Sequence, residues 1–230
     1  MRELISNARC VLFDFDGPVC RLFAVHSAEI IAGKLRELTA ELSASALLTE
    51  ELRTSPDPHE VLRQIARRRP GGALVERLEA ALTREEVSAA ASAHPTPYAA
   101  ALIAALSRRG RQVAIATNNS ALAAEHYLRR HHLSGYLGGR VHGRTGDITL
   151  LKPHPDSLQR ALASTRTAAH RSLMIGDSVA DLDAARAAGV PFLGYAPTEP
   201  VAAAFRTAGA EHVVTSLELV LTALIAPTYG

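Results

Sequence analysis

A chain of 230 residues with 47% hydrophobic and 21% charged residues can bury a sizeable core, and its length suits one large domain or a core with a modest insert. With 25 basic against 23 acidic residues there is no basic stripe to neutralise a row of phosphates, and aromatics at 4% without Trp offer no stacking platform, which argues against a nucleic-acid partner. Two cysteines, Cys10 and Cys20, are too few for a disulfide framework, no apolar run is long enough to span a bilayer, and MRELISNARC has no apolar signal core; the expectation is a cytoplasmic protein with no membrane partner.

The first landmark is CVLFDF at residues 10–15, an apolar run that stops at two acids and Gly17-Pro18, as a buried strand ending in a loop should. Residues 20–93 then change character. Apolar positions recur with helical periodicity (Ile30, Ile31, Leu35, Leu38; Val61, Leu62, Ile65; Leu74, Leu78, Leu82), and Ser55-Pro56-Asp57-Pro58 and Arg69-Pro70-Gly71-Gly72 punctuate them into about four helices. After His94-Pro95-Thr96-Pro97 the pattern alternates: helix 98–109, strand 112–116, helix 120–131, a short strand at 139–142, helix 155–164, strand 172–176 and helix 179–188. Strand 191–195, helix 199–208, strand 212–214 and helix 216–225 complete it. Strands alternating with helices imply parallel βαβ units. The first strand must join the later sheet, so residues 1–19 and 94–230 are expected to form a discontinuous α/β core, a Rossmann-like parallel sheet with helices on both faces. Residues 20–93 are expected to form an inserted all-helical cap.

Ligands of open α/β sheets bind beyond the carboxyl ends of the strands. There the first strand delivers Asp14 and Asp16, strand 112–116 delivers Thr117 and Asn118, the segment before helix 155–164 delivers Lys152, and strand 172–176 delivers Asp177, with Asp181 one turn on. Lys152 is one of two lysines in an Arg-rich chain, which favours a point charge over a guanidinium fork at that place. Clustered carboxylates without Cys or an HExxH pair suit a hard, oxygen-loving cation, so Mg²⁺ is expected rather than zinc. Such a cation lets an anionic nucleophile approach an anionic phosphoryl group, with Thr117, backbone N–H groups and Lys152 holding its oxygens. Carboxylate attack on phosphorus gives an aspartyl-phosphate, and a second acid then serves the leaving oxygen and the attacking water. Spacing alone leaves open which of Asp14 and Asp16 is the nucleophile.

Four segments in order, Asp14-Phe15-Asp16-Gly17-Pro18, Thr117-Asn118-Asn119, Lys152-Pro153-His154-Pro155-Asp156 and Gly176-Asp177-Ser178-Val179-Ala180-Asp181, resemble the motifs of haloacid dehalogenase-superfamily phosphatases of the phosphoglycolate-phosphatase-like kind with a helical C1 cap. The resemblance covers nearly the whole chain. It implies Asp14 as nucleophile, Asp16 as general acid/base, and Thr117, Asn118 (through its N–H) and Lys152 as phosphoryl binders. It also implies a metal held by Asp14, Asp177 and the backbone carbonyl of Asp16, with Gly17 supporting and with Asp181 either a further acid of the metal shell or the group that orients Lys152. Pro18 departs from the pattern, since the position is most often Thr and Pro lacks an N–H.

The expected activity is Mg²⁺-dependent hydrolysis of a small phosphorylated metabolite by a monomer or homodimer. A phosphosugar mutase of the same fold and a catalytically silent phospho-ligand-binding protein are the competing readings. The dehalogenase branch fits an acid pair plus a metal acid less well, and a signalling receiver usually has its paired acids adjacent and its acceptor on a later strand. His131, His132, His142, His154 and Cys20 lack tetrahedral zinc spacing and read as surface or packing residues. Arg67, Arg68 and Arg69 read as a solvated helix end.

Overall fold

The computed structural model describes residues 1–226. A short helix α1 (Arg2–Asn7), not foreseen from the sequence, precedes β1 (Cys10–Phe13), whose four side chains are all buried. β1 ends two residues before the apolar run does, because Phe15 closes a tight loop in which its carbonyl accepts from the N–H groups of Val19 and Cys20. That loop closes without the N–H that Pro18 lacks. A two-residue strand β2 (Cys20–Arg21) follows.

The segment 20–93 supplies α2 (Ala28–Glu41), α3 (Glu50–Thr54), α4 (Pro58–Arg68) and α5 (Gly72–Ser92). α4 begins as its sequence dictates: Pro58 occupies the first turn and the Asp57 side chain accepts from the His59 N–H at 2.8 Å. Ile31, Leu35, Leu62, Ile65, Leu78 and Leu82 pack into an apolar cluster separate from that of the sheet. α5 reaches further, since Ala89 and Ala90 near its far end and Ala93 just beyond it belong to the cluster against the sheet. The antiparallel pairing of β2 with β3 (His94–Pro95) joins the chain where it leaves for the helical segment to where it returns. This ribbon is too short to carry a period-2 signal in sequence.

The remaining chain alternates: α6 (Ala99–Arg108), β4 (Gln112–Ala116), α7 (Ala121–Arg130), α8 (Ser134–Leu137), β5 (Val141–His142), α9 (Asp156–Thr165) and β6 (Ser172–Gly176). Then come α10 (Val179–Ala188), β7 (Phe192–Tyr195), α11 (Glu199–Thr207), β8 (Val213–Val214) and α12 (Leu217–Ile225). Six strands form one parallel sheet in the order β5-β4-β1-β6-β7-β8. The central strands show period-2 alternation with both sides apolar. Val11, Phe13, Val113, Ile115, Leu173 and Ile175 face one buried cluster, while Cys10, Leu12, Ala114, Ala116 and Met174 face the other. This is the Rossmann-like core expected from the alternation, with β1 between β4 and β6 so that their carboxyl ends are adjacent.

Leu12 is fully buried between Ala114 and Met174. Leu12→Ala is expected to destabilise the fold by about 2–5 kcal/mol, seen as a lower urea midpoint at unchanged slope; a midpoint equal to wild type would show that this layer is not the core.

Candidate active site

The carboxyl ends of β1, β4 and β6 and the loop before α9 bring the four motif segments to one place. Asp14 extends the ladder of β1 by donating its N–H to the Ile175 carbonyl at 2.9 Å, and Thr117 extends β4 by donating to the His142 carbonyl at 3.0 Å. Asp14, Asp16, Thr117, Asn118, Lys152, Asp177 and Asp181 all line one cavity of about 260 Å³.

Lys152 organises this cavity. Its ammonium is buried and donates to Asp14 Oδ1 at 2.8 Å, to the Ala116 carbonyl at 3.0 Å and to Asp181 Oδ1, using all three of its hydrogens. Burial pulls its pKa down, but Asp14 and Asp181 outweigh that, so the group stays charged. Asn118 fixes the chain at the same lysine, accepting from the Lys152 N–H at 2.7 Å and donating to its carbonyl at 3.3 Å. Asp181 cannot move freely toward another ligand. Its second oxygen accepts from the Ser178 N–H at 3.1 Å and the Ser178 hydroxyl at 2.6 Å, a capping box at the start of α10.

Oxygens of Asp14, Asp177 and Asp181 lie within 4.8 Å of one another. Burial raises the pKa of Asp14 against the pull of Lys152, with Asp181 adding to it. Burial raises Asp177 too, helped by Asp14 and Asp181. One ammonium does not balance these acids, and the all-oxygen donor set fits a hard divalent cation. Because Asp181 is held by Lys152 and Ser178, Asp14 and Asp177 are the carboxylates most open to such an ion.

Asp16 differs from its neighbour two residues earlier. Its carboxylate lies outside that three-acid group and accepts from the Leu22 N–H at 2.7 Å, and burial pushes its pKa up to about 6. Gly17 between the loop and Asp177 has a structural reason: its φ is +95°, and a Cβ there would stand 2.1 Å from Asp177 Oδ2.

Several residues at this place carried no sequence signal. Helix α4 contributes His59 and Arg63 to the cavity, and Asp57 lines it from the turn before. Behind the cavity, fully buried Glu86 of α5 accepts from both terminal nitrogens of Arg144 at 3.0 Å, from the Ser120 N–H at 2.9 Å, from Asn119 Nδ2 at 3.2 Å and from His59 Nε2 at 2.9 Å. Glu86 falls four residues after Leu82 on the apolar face of its helix, and an acid at such a position is the one signal that could have marked it. The histidines at 131 and 142 take packing and surface roles: His131 stacks on Tyr127, and His142 Nε2 meets the Ser164 hydroxyl at 2.8 Å. Cys10 and Cys20 are buried free thiols.

Burial alone would raise the pKa of Glu86, but Arg144 and His59 hold it at about 2, below its ordinary 4.5. A folded-state pKa depressed in this way contributes stability that is complete above about pH 4.5 and is lost as pH falls through 2. The stability gap between wild type and Glu86→Gln should therefore be constant from neutral pH to about pH 5 and shrink by roughly 3 kcal/mol below it. Thermal unfolding across that range checks this, and a gap that stays constant to pH 3 would contradict it.

Residues 8–189 match the family model of haloacid dehalogenase-like hydrolases. Among curated relatives, the plasmid-encoded phosphoglycolate phosphatase of Cupriavidus necator is 38% identical over 136 residues, covering 57% of this chain and 55% of that protein. The phosphoglycolate phosphatase of Rhodospirillum rubrum is 37% identical over 116 residues, covering 49% and 47%. The chain thus matches about half the length of these relatives. Of solved structures, CbbY from Rhodobacter sphaeroides in complex with phosphate superposes with a TM-score of 0.66 at 22% identity, over 95% of this chain and 100% of that one. A haloacid dehalogenase-like protein from Streptococcus pneumoniae gives 0.64 at 15% identity, over 94% and 98%. These two likenesses concern the fold. Among the described residues no helix is long and apolar enough to cross a membrane. By the family match and the four motif segments converging on one cavity, the chain belongs to the haloacid dehalogenase-like hydrolases.

Proposed function

We propose that this chain is a Mg²⁺-dependent phosphatase that hydrolyses a small phosphomonoester through a phosphoryl group carried on Asp14, with residues 1–19 and 94–230 as its catalytic core and residues 20–93 as its cap. The observation that carries this reading is the Asp14 carboxylate, held by the Lys152 ammonium at 2.8 Å beside Asp177, at the adjoining ends of the central strands. The two named relatives act on phosphoglycolate, which makes a short, acidic phosphoester the first substrate to try.

In this reading Lys152 fixes one Asp14 oxygen and directs the other toward phosphorus, while the Thr117 hydroxyl and the Asn118 N–H hold the non-bridging oxygens and the nearby Lys152 charge offsets theirs. Asp14 and Asp177, with the Asp16 carbonyl, would hold the metal, which when bound offsets the negative charge gathered on the phosphoryl group. An Asp14 oxygen forms a bond to phosphorus as the bond to the leaving oxygen breaks; the leaving oxygen keeps the pair of that bond and takes a proton from Asp16. Deprotonated Asp16 then accepts a proton from water as the water oxygen attacks phosphorus. The bond between phosphorus and Asp14 breaks, releasing phosphate and restoring the carboxylate. With its pKa near 6, Asp16 can give and regain that proton near neutral pH. The cap over the cavity would exclude bulk water and choose the leaving group.

Phosphate release from phosphoglycolate and other small phosphomonoesters, with Mg²⁺ and with chelator, tests the reading. Wild type should turn over only with the metal, Asp14→Asn should lose at least about a thousandfold in kcat, and Asp16→Asn roughly 10²–10⁴-fold. Asp177→Ala should shift the Mg²⁺ titration to higher concentration. Turnover undiminished in Asp14→Asn would remove the covalent route, and an unmoved titration would remove Asp177 from the metal site.

A further inference from the structure

One imidazole from the helical segment is held at the edge of the reaction centre by a carboxylate that the chemistry above does not use. His59 stands in the first turn of α4, with 14% of its side chain exposed, and lines the same cavity as Asp14, Asp16 and Lys152. Its Nε2 lies 2.9 Å from Glu86 Oε1. Ionised Glu86 can only accept, so Nε2 carries a hydrogen and the ring is fixed about that bond. Glu86 does not line the cavity, whereas Asp57, 3.8 Å from His59 Nδ1, does. The ring is therefore tied at its rear and offers Nδ1 at the cavity side, too far from Asp57 for a hydrogen bond.

Glu86 draws its five donors from three parts of the chain: His59 of α4, Asn119 and Ser120 of the loop after β4, and Arg144 of the loop after β5. One carboxylate thus sets where α4 stands relative to the phosphoryl-holding loop, and bidentate Arg144 balances its buried charge. Arg63, one turn beyond His59, lines the cavity as well, and its Nε is buried without a hydrogen-bond partner among the described residues.

We propose that His59 is a specificity-determining residue that contacts the leaving group through Nδ1, and that Glu86, held by Arg144, is the positioning residue that sets the His59 ring against the phosphoryl loop. The inference rests on the phosphatase reading above. The group it selects is a carboxylate a few atoms from the ester oxygen, which meets the Nδ1 side of the His59 ring and the Arg63 guanidinium.

The test compares phosphoglycolate with ethyl phosphate, which keeps the ester and lacks the carboxylate, by the ratio of their kcat/KM values with Mg²⁺. His59→Gln places an amide nitrogen near the Nε2 position and keeps a donor for Glu86, yet has nothing at Nδ1. Its ratio should fall about tenfold or more, chiefly through KM for phosphoglycolate. Glu86→Gln should lower the ratio although Glu86 touches no substrate, and the double variant should fall no further than His59→Gln alone. A structural role would lower both substrates together. A wild-type ratio in His59→Gln, or equal losses on both substrates, would overturn the inference. That conclusion does not need Glu86→Gln to fold. Wild type that hydrolyses neither ester would instead overturn the phosphatase reading itself, and this inference with it.

Discussion

The site depends on one buried ammonium set among carboxylates. Lys152 comes from a loop distant in sequence from β1, yet its three hydrogens are directed to Asp14, to the Ala116 carbonyl at the end of β4, and to Asp181 at the start of α10. Each partner is the terminus of a different element, so the lysine can be satisfied only when these elements stand side by side. Removing it would leave buried Asp14 and Asp181 without the ammonium that pairs them, a loss that costs more than the ion pairs gain. Asp14, Asp177 and Asp181 around that one ammonium are an all-oxygen set that could hold a divalent cation.

A second layer lies behind the first. Glu86 and Arg144 form a fully buried ion pair whose hydrogen bonds run to the backbone and side chains of the loop after β4. α5 is long enough, at 21 residues, to take part in both apolar clusters. This helix, shared between the two apolar clusters and pinned by a charge between Leu82 and Ala89, couples the helical segment to the loop after β4. The central sheet gives this arrangement its firm base, since apolar side chains cover both faces of β1, β4 and β6.

Much of the fold is legible in the sequence because its signals are local. The run at 10–15, the alternation after residue 97 and the Pro and Gly punctuation around residues 55–58 and 69–72 each report on a few neighbouring residues, and α4 and α5 begin where that punctuation places them. The motif residues are legible because strand ends deliver them, and Asp14, Thr117, Lys152 and Asp177 do line one cavity. The β2 and β3 ribbon and α1 are not legible: two-residue strands have no period, and α1 has one fully buried side chain, Ile5. His59, Glu86 and Arg144 escape for another reason. Their partners lie 27 to 58 residues apart, and a lone acid or imidazole on a helix looks solvated until the packing is known. Asp181 shows the limit within a motif, for sequence leaves it between a metal ligand and a partner of Lys152, while geometry binds it to Lys152 and Ser178.

The claim on which this account rests is that Asp14 carries the phosphoryl group during turnover. It is tested most directly by acid-quenching the enzyme during turnover of phosphoglycolate with Mg²⁺ and mapping the modified residue by peptide mass spectrometry, using Asp16→Asn to slow release. The account predicts the mass of one phosphoryl group on Asp14 and none in the Asp14→Asn chain. Phosphate release at full rate with no modified Asp14 at any quench time would contradict it.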